Sequence, residues 1–283
     1  MSAAAIAILR LAEKHLTTAQ TLSTTVNWPH RRQDWRFALK LGRGLAAMDR
    51  DSLVGTIIWW PFGQHYARFG MLVVSPSMQR RGVGRFLMEA ALRDVGGRTV
   101  LLNATVKGLP LYEKFGYKPI GAVRQHQAAN AVPASAPLPE GASFKPMQKT
   151  DLDAVIALDE QAAGFRRAGL LRALKKIGKG FILEQGGEIA AWSFLRRFGH
   201  GYVIGPVGAR GEMAARALIA RWISGNGSEF RRIDVPLSSG LSPWLEDQGL
   251  ARAGEVVAMA LGEPPIPLAT GPRLFALANQ GLG

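Results

Sequence analysis

Apolar positions along the chain fall into two periods. Short apolar runs closed by Gly, Pro or Asp read as buried strands, and runs spaced i, i+3, i+4 read as helices. Residues 44–48, the turn Asp49-Arg50-Asp51 and residues 53–60 read as a hairpin, with a third strand over 67–74. Residues 181–184, the pair Gly186-Gly187, then 189–194 and 201–204 repeat that order. Upstream of each set, residues 9–22 and 144–158 resemble one another with one insertion. Each reads as a short strand running into a helix, with Thr150-Asp151 as N-cap in the second copy. Each half then offers a helix, a strand, a short helix and a last strand. The pattern predicts an α+β protein of two tandem, similar domains, each with a central mixed sheet flanked by helices.

The length of 283 residues is enough for two cores. The stretch 125–143 is Ala/Pro-rich and almost uncharged and reads as a linker. It divides the chain into a first domain over 1–128, a connection over 129–142 and a second domain over 143–283. An apolar run over 3–9 has no basic residue ahead of it and stops at Arg10, too short for a signal core. It reads as an edge strand, and the expectation is a cytoplasmic protein with no membrane partner, a monomer or homodimer.

With no cysteine, a disulfide framework, a thiolate zinc site and an acyl-cysteine relay are excluded. No metal-ligand spacing stands out, so no metal is expected. The net charge of +14 sits mostly in the first 128 residues, where 18 basic side chains face 7 acidic ones. No clustered Lys/Arg run with interleaved aromatics accompanies it, so the expectation is no nucleic acid partner and a small polyanion instead.

The candidate chemistry lies in residues 69–117. An apolar strand ending in Val74-Ser75-Pro76 is followed by Gln79-Arg80-Arg81-Gly82-Val83-Gly84. A helix follows whose residues Val83, Phe86, Leu87, Ala90 and Ala91 share a face. Glycines there let the backbone approach a phosphate, the free N–H groups of the helix start point at it, and Arg80, Arg81 and Arg85 add charge. Further on stands Tyr112-Glu113-Lys114-Phe115-Gly116-Tyr117.

Together these segments resemble the GCN5-related N-acetyltransferase (GNAT) superfamily, in detail over residues 5–125 and loosely beyond. The segment 159–174, with Ala163-Gly164-Phe165-Arg166-Arg167, is similar to that of bacterial members with a second, degenerate acetyltransferase-like half. The resemblance implies a three-layer α/β fold and acetyl-CoA (coenzyme A) as cofactor. It places the pyrophosphate on Arg80, Arg81, Gly82, Val83, Gly84 and Arg85, within the Gln79 motif. Backbone groups of Leu72, Val73 and Val74 would pair with pantetheine and polarise the thioester. Asn103 would hold pantetheine or a water, and Tyr112 would protonate the departing thiolate. The implied activity is direct acetyl transfer to an amine, a small molecule in preference to a protein.

The glutamate that many members carry on the third strand is replaced by Gly70 and Met71. The base is left open between a water chain, His30, His65 and a residue of the second half. Residues 27–35 carry Trp28, His30 and Trp35 where the family walls its acceptor site, although packing a helix pair explains both tryptophans equally well. The second half lacks the glycine motif, places Glu212 at a helix start and aligns Leu245 with Tyr112 and Pro236 with Asn103. It is expected to have no cofactor site of its own. The alternative to an enzyme is a non-catalytic acyl-CoA-binding or regulatory protein that keeps the fold.

Overall fold

The structure is a computed structural model and describes residues 6–130, 133–225 and 229–283. The first half opens with β1 (Ala7–Arg10), β2 (Arg43–Asp49), β3 (Ser52–Phe62) and β4 (Tyr66–Val74). These form an antiparallel run in which β1 is the outer strand. Of the apolar run read as an edge strand, Ala3, Ala4 and Ala5 lie outside the described residues. Helices α1 (Leu16–Thr24) and α2 (Arg32–Leu41) connect β1 to β2, α3 (Val83–Val95) follows β4, and β5 (Thr99–Ala104) runs parallel to β4. A short helix α4 (Leu109–Lys114) leads into β6 (Lys118–Ala128).

The second half repeats the order. It runs through β7 (Ala142–Pro146), α5 (Leu152–Ala163), α6 (Ala168–Ile177), β8 (Lys179–Gln185), β9 (Glu188–Phe198) and β10 (Gly201–Ala209). Then come α7 (Glu212–Ser224), β11 (Arg231–Pro236), α8 (Ser242–Asp247), β12 (Ala251–Leu261) and β13 (Arg273–Ala276). Gln125 to Ala128 belong to β6, and Ala142 and Ser143 to β7, so both ends of the stretch read as a linker are strand. The Thr150-Asp151 cap is not made. The Asp151 carboxylate accepts from the Gln148 N–H instead, at 2.6 Å.

Among the described residues all the strands belong to one sheet, in the order β1-β2-β3-β4-β5-β12-β6-β11-β10-β9-β8-β7, with β13 added on β10. The last strands have changed places. β12 from the end of the chain lies against β5, and β6 from the first half lies against β11. A boundary near residue 128 therefore divides the chain but not the sheet.

Helices cover both faces, which is why β3 is buried along nearly its whole length. Ile58, Trp60 and Phe62 of β3 face α1 and α2, whereas Ile57 and Trp59 face α3. The first of these cores continues into the second half, where Ile182, Trp192 and Phe194 pack with Val155, Ile156, Leu170 and Leu171 of α5 and α6. On the other face, α7 and α8 build a separate core with Leu183, Ile204 and Ile233. Phe165 of the second half stands 5.3 Å from both Phe62 and Tyr66 of the first, centroid to centroid. Beside it, Arg167 is bound through two nitrogens to the buried Asp159, at 2.7 and 2.9 Å, and donates to the Gly283 carbonyl at 2.6 Å.

Candidate active site

Strand β4 pairs with β5 only through Tyr66, Ala67 and Arg68. Beyond Arg68 the two strands part, and no register joins Phe69–Val74 to Leu102–Ala104. A bulge lies within the parted stretch. The register with β3 slips between Thr56 and Ile58, Met71 takes φ 54°, and the Thr56 hydroxyl donates to the Met71 carbonyl at 2.8 Å. Leu72 and Val74 lie partly buried against α3, and the Val73 side chain belongs to the opposite core, so Val73 offers a ligand only its backbone.

At the mouth of the gap the chain turns from β4 into α3. Gln79 does not reach outward: its amide nitrogen donates to the Val74 carbonyl at 3.2 Å and ties the loop to the strand. Arg80 (φ 62°) and Gly82 (φ 84°) are in the left-handed region. The helix start that follows leaves the N–H groups of Val83, Gly84 and Arg85 without intrahelical acceptors. A Cβ on Gly84 would come 3.3 Å from Leu111 Cδ2, so a larger residue there would press on the contact between α3 and α4. Arg80, Arg81 and Arg85 are exposed around this turn. Phe86, expected on the buried face of α3, is exposed; Met88 and Val95 complete that face with Val83, Leu87 and Ala91.

Tyr112 projects from α4 beside Tyr117, with ring centroids 5.9 Å apart. Burial pushes its phenol up to about 12. It therefore holds its proton throughout the neutral and moderately alkaline range.

The inner end of the gap meets a cavity of about 230 Å³ between the two halves. Its wall includes Trp28, His30 and Asp34 from the α1–α2 region, Gly70 and Met71 from β4, and Asn103 from β5. The second half contributes Arg196, Phe198 and Arg232, and the chain end contributes Asn279, Gln280, Gly281 and Leu282. Trp35, grouped with Trp28 and His30 by sequence, is not on this wall. It is fully buried and donates to the Ser23 hydroxyl at 3.2 Å, so it packs α1 against α2. Asn103 is on the wall, but its amide nitrogen is engaged by the Gln280 carbonyl at 2.7 Å.

The structure explains the missing glutamate. A Cβ on Gly70 would lie 2.8 Å from Trp60 Cζ3 and 3.3 Å from the Gly281 Cα, so no side chain fits. Gly70→Ala is expected to destabilise the fold by ~1–3 kcal/mol through overpacking, measured as a lower denaturation midpoint at unchanged slope. The histidines do not supply a strong base in its place. His65 is exposed in the turn before β4, at the opposite end of that strand from the gap. His30 faces Trp28, Trp35 and Phe198, and burial, with help from the nearby Arg232 and Arg196, pushes it down to about 3. Burial would raise the Asp34 carboxyl, but hydrogen bonds from the Arg31 side chain and the Arg31 and Gly199 N–H groups hold it below the usual range.

The corresponding gap in the second half is filled. Strands β10 and β11 pair in parallel only from Tyr202 to Ile204, after which β13 adds to β10 through Val207, Gly208 and Ala209. The backbone beyond β13 crosses so close to Gly205 that a Cβ there would meet the Leu277 carbonyl oxygen at 1.9 Å. Glu212 stands in the first turn of α7 in an ion pair with Arg216. Leu245 occupies the place in α8 that Tyr112 has in α4 and is core. Counting along each strand places Val235, one residue before Pro236, opposite Asn103.

Sequence reasoning missed Arg196, Phe198, Arg232 and residues 277–283. A charged residue in a strand reads as solvent-facing, and nothing local marks a segment that crosses from one half into the other.

Comparison with known proteins agrees with this architecture. Two family models, each described as an acetyltransferase (GNAT) domain, match residues 41–119 and 155–276. The chain is 27% identical to the uncharacterized N-acetyltransferase YitH of Bacillus subtilis (strain 168), over 98% of both chains. It is 24% identical to the holothin acyltransferase of Pseudoalteromonas sp. (strain SANK 73390), over 90% of this chain and 92% of the relative. The fold matches that of an acetyltransferase-class protein from Pyrococcus horikoshii, with TM-score 0.80, 19% identity and coverage of 100% of this chain and 97% of the other. A GCN5-related N-acetyltransferase from Sphaerobacter thermophilus gives TM-score 0.66 at 14% identity, over 94% and 98% of the two chains. With a GNAT domain matched in each half and the parted strands in the first, the chain is a tandem acyltransferase of the GCN5-related N-acetyltransferase superfamily.

Proposed function

We propose that the first half transfers an acetyl group from acetyl-CoA directly to an amine on a small molecule held in the cavity between the halves. The observation that carries this reading is the parting of β4 and β5, with a helix start at one end and the cavity at the other. Acetyl-CoA, when bound, supplies an activated acyl thioester. The N–H groups of Val83, Gly84 and Arg85 and the charges of Arg80 and Arg81 suit its phosphates. The backbone of Leu72, Val73 and Val74, freed from β5, suits pantetheine and the thioester oxygen. Tyr112 holds a proton at Oη for the departing sulfur.

The second half, with β13 in its own gap, serves as a wall of the acceptor cavity and binds no second cofactor. One relative, the holothin acyltransferase, is named for its acceptor.

Proton removal from the amine is left to water. Among the described residues on the cavity wall, His30 is too weak a base and Asp34 is committed to Arg31. The buried cations Arg196 and Arg232 also favour an uncharged amine over an ammonium group. At fixed total amine, kcat/KM for a primary alkylamine of pKa ~10.4 is expected to rise about tenfold per pH unit between pH 7 and 9. A plateau near neutral pH would point to a side-chain base instead.

The test of the cofactor site is calorimetric titration with acetyl-CoA of the native protein beside Gly82→Trp. The expected result is one site per chain, weakened about tenfold or more in the variant, because a non-glycine residue is strained at this left-handed position. Two sites per chain would overturn the single-site assignment, and no binding would overturn the reading. Binding without transfer to any amine would favour a non-catalytic acyl-CoA sensor.

A further inference from the structure

The cavity wall contains a buried guanidinium with one edge unpaired. Arg196 is 2% exposed, and its guanidinium is covered on its faces by the Phe37 and Phe198 rings, 5.3 and 4.9 Å from the ring centroids. Its Nη1 has the Arg197 carbonyl at 3.4 Å and an Asp34 oxygen at 3.8 Å. Its Nε and Nη2, which form one edge of the planar fork, are buried and have no hydrogen-bond partner.

The surrounding charges do not cancel it. Asp34 is held by Arg31 through two bonds of 3.0 and 2.8 Å. Asp234 is held by Arg232, and it also accepts the Gln280 N–H at 3.1 Å. Three guanidiniums thus face two carboxylates, and the surplus cation is Arg196. A buried cation with an open edge is costly to keep, so the fold carries a device that a ligand completes.

We propose that Arg196 is the anchor for a carboxylate on the amine acceptor, which makes the substrate class an amino acid or a similar small amino carboxylate. The Nε/Nη2 edge is the face that a carboxylate grips with two parallel hydrogen bonds. One carboxylate neutralises the single surplus charge, whereas a phosphate dianion would overshoot it. The cavity is also smaller than a drug-sized pocket. This inference rests on the acetyl-transfer reading of the same cavity, which it refines by naming the acceptor.

The experiment uses the full chain, saturated with acetyl-CoA, and pairs of acceptors that differ only in the carboxylate: standard amino acids beside their decarboxylated amines. Free thiol released is measured for the native protein, Arg196→Met and Arg196→Lys. At least one carboxylated member should be preferred at least tenfold in kcat/KM. Arg196→Met should abolish that preference, and Arg196→Lys should restore it only in part, since it keeps the charge but not the fork. Acetyl-CoA affinity should be unchanged in both variants. The melting temperature of unliganded Arg196→Met should match or exceed that of the native protein, because an uncompensated buried cation is gone, whereas a merely structural arginine would leave the variant less stable.

A second arm does not depend on turnover. The same amino acids, their amines and inorganic phosphate are compared as thermal stabilisers of the native protein and of Arg196→Lys. Stabilisation that needs both the carboxylate and Arg196 supports the site even if acetyl-CoA fails to bind, which would sink only the transfer reading. Equal use of both members of every pair, stabilisation by phosphate alone, or no response to any carboxylate while acetyl-CoA binds would overturn the proposal.

Discussion

Replacing Tyr112 by Phe is expected to lower kcat for acetyl transfer by ~100- to 10,000-fold, the range of a positioned general acid, with acetyl-CoA affinity unchanged. The substitution removes one oxygen and keeps the ring against Gly108 and Tyr117, so the packing of α4 is preserved. Burial raises this phenol to about 12, which has two consequences. The proton is present throughout the neutral and moderately alkaline range, so the native rate profile should show no alkaline decline from Tyr112 below about pH 11. A phenol of that acidity also serves better as a hydrogen-bond donor that yields its proton late than as an early acid. Unchanged turnover in Tyr112→Phe, measured by thiol release at saturating substrates, would discard the role.

The second large effect concerns stability. Asp159→Ala is expected to destabilise the protein by ~3–5 kcal/mol, because it leaves the Arg167 guanidinium buried without its carboxylate. Both side chains are 1% exposed, and Arg167 also holds the Gly283 carbonyl, so the loss spreads from α5 to the chain end beside the cavity. A fall in melting temperature on the order of 10 °C is expected. Replacing both residues by apolar ones should recover much of it, since the pair's worth lies in mutual compensation. A shift of only a degree or two in Asp159→Ala would mean that water reaches Arg167.

What the sequence revealed and what it hid follow from the range of the interactions concerned. The hairpin of β2 and β3, strand β4 and the turn into α3 are decided by neighbours a few residues apart, and their boundaries were legible to within one or two residues. Gly82 was legible for the same reason, since a left-handed residue before a helix leaves a local mark. The crossing of β6 and β12 was not. Both strands are exposed over their first several residues and buried at the same later places, so either pattern suits either neighbour. Trp35 and Trp28 show the limit within one short segment: seven residues apart and chemically alike, one is core in α2 and the other lines the cavity. Arg196 and Arg197 are adjacent in β9, and the Phe37 ring of α2 and the Phe198 ring cover the first while its neighbour stays exposed.

The crossed placement of β6 and β12 sets a timetable for the protein's birth. Strand β5 is synthesised early, but the strand that covers its free edge is Ala251–Leu261, near the end of the chain. At ~5–20 residues per second, a nascent chain leaves that edge uncovered for roughly 10–30 s. For most of that interval β6 is already made, and its nearest unpaired neighbour is β5, the strand it must not keep. Translation speed and chaperone capture of residues 99–128 therefore bear on yield more than they would for two domains that each close before the next begins.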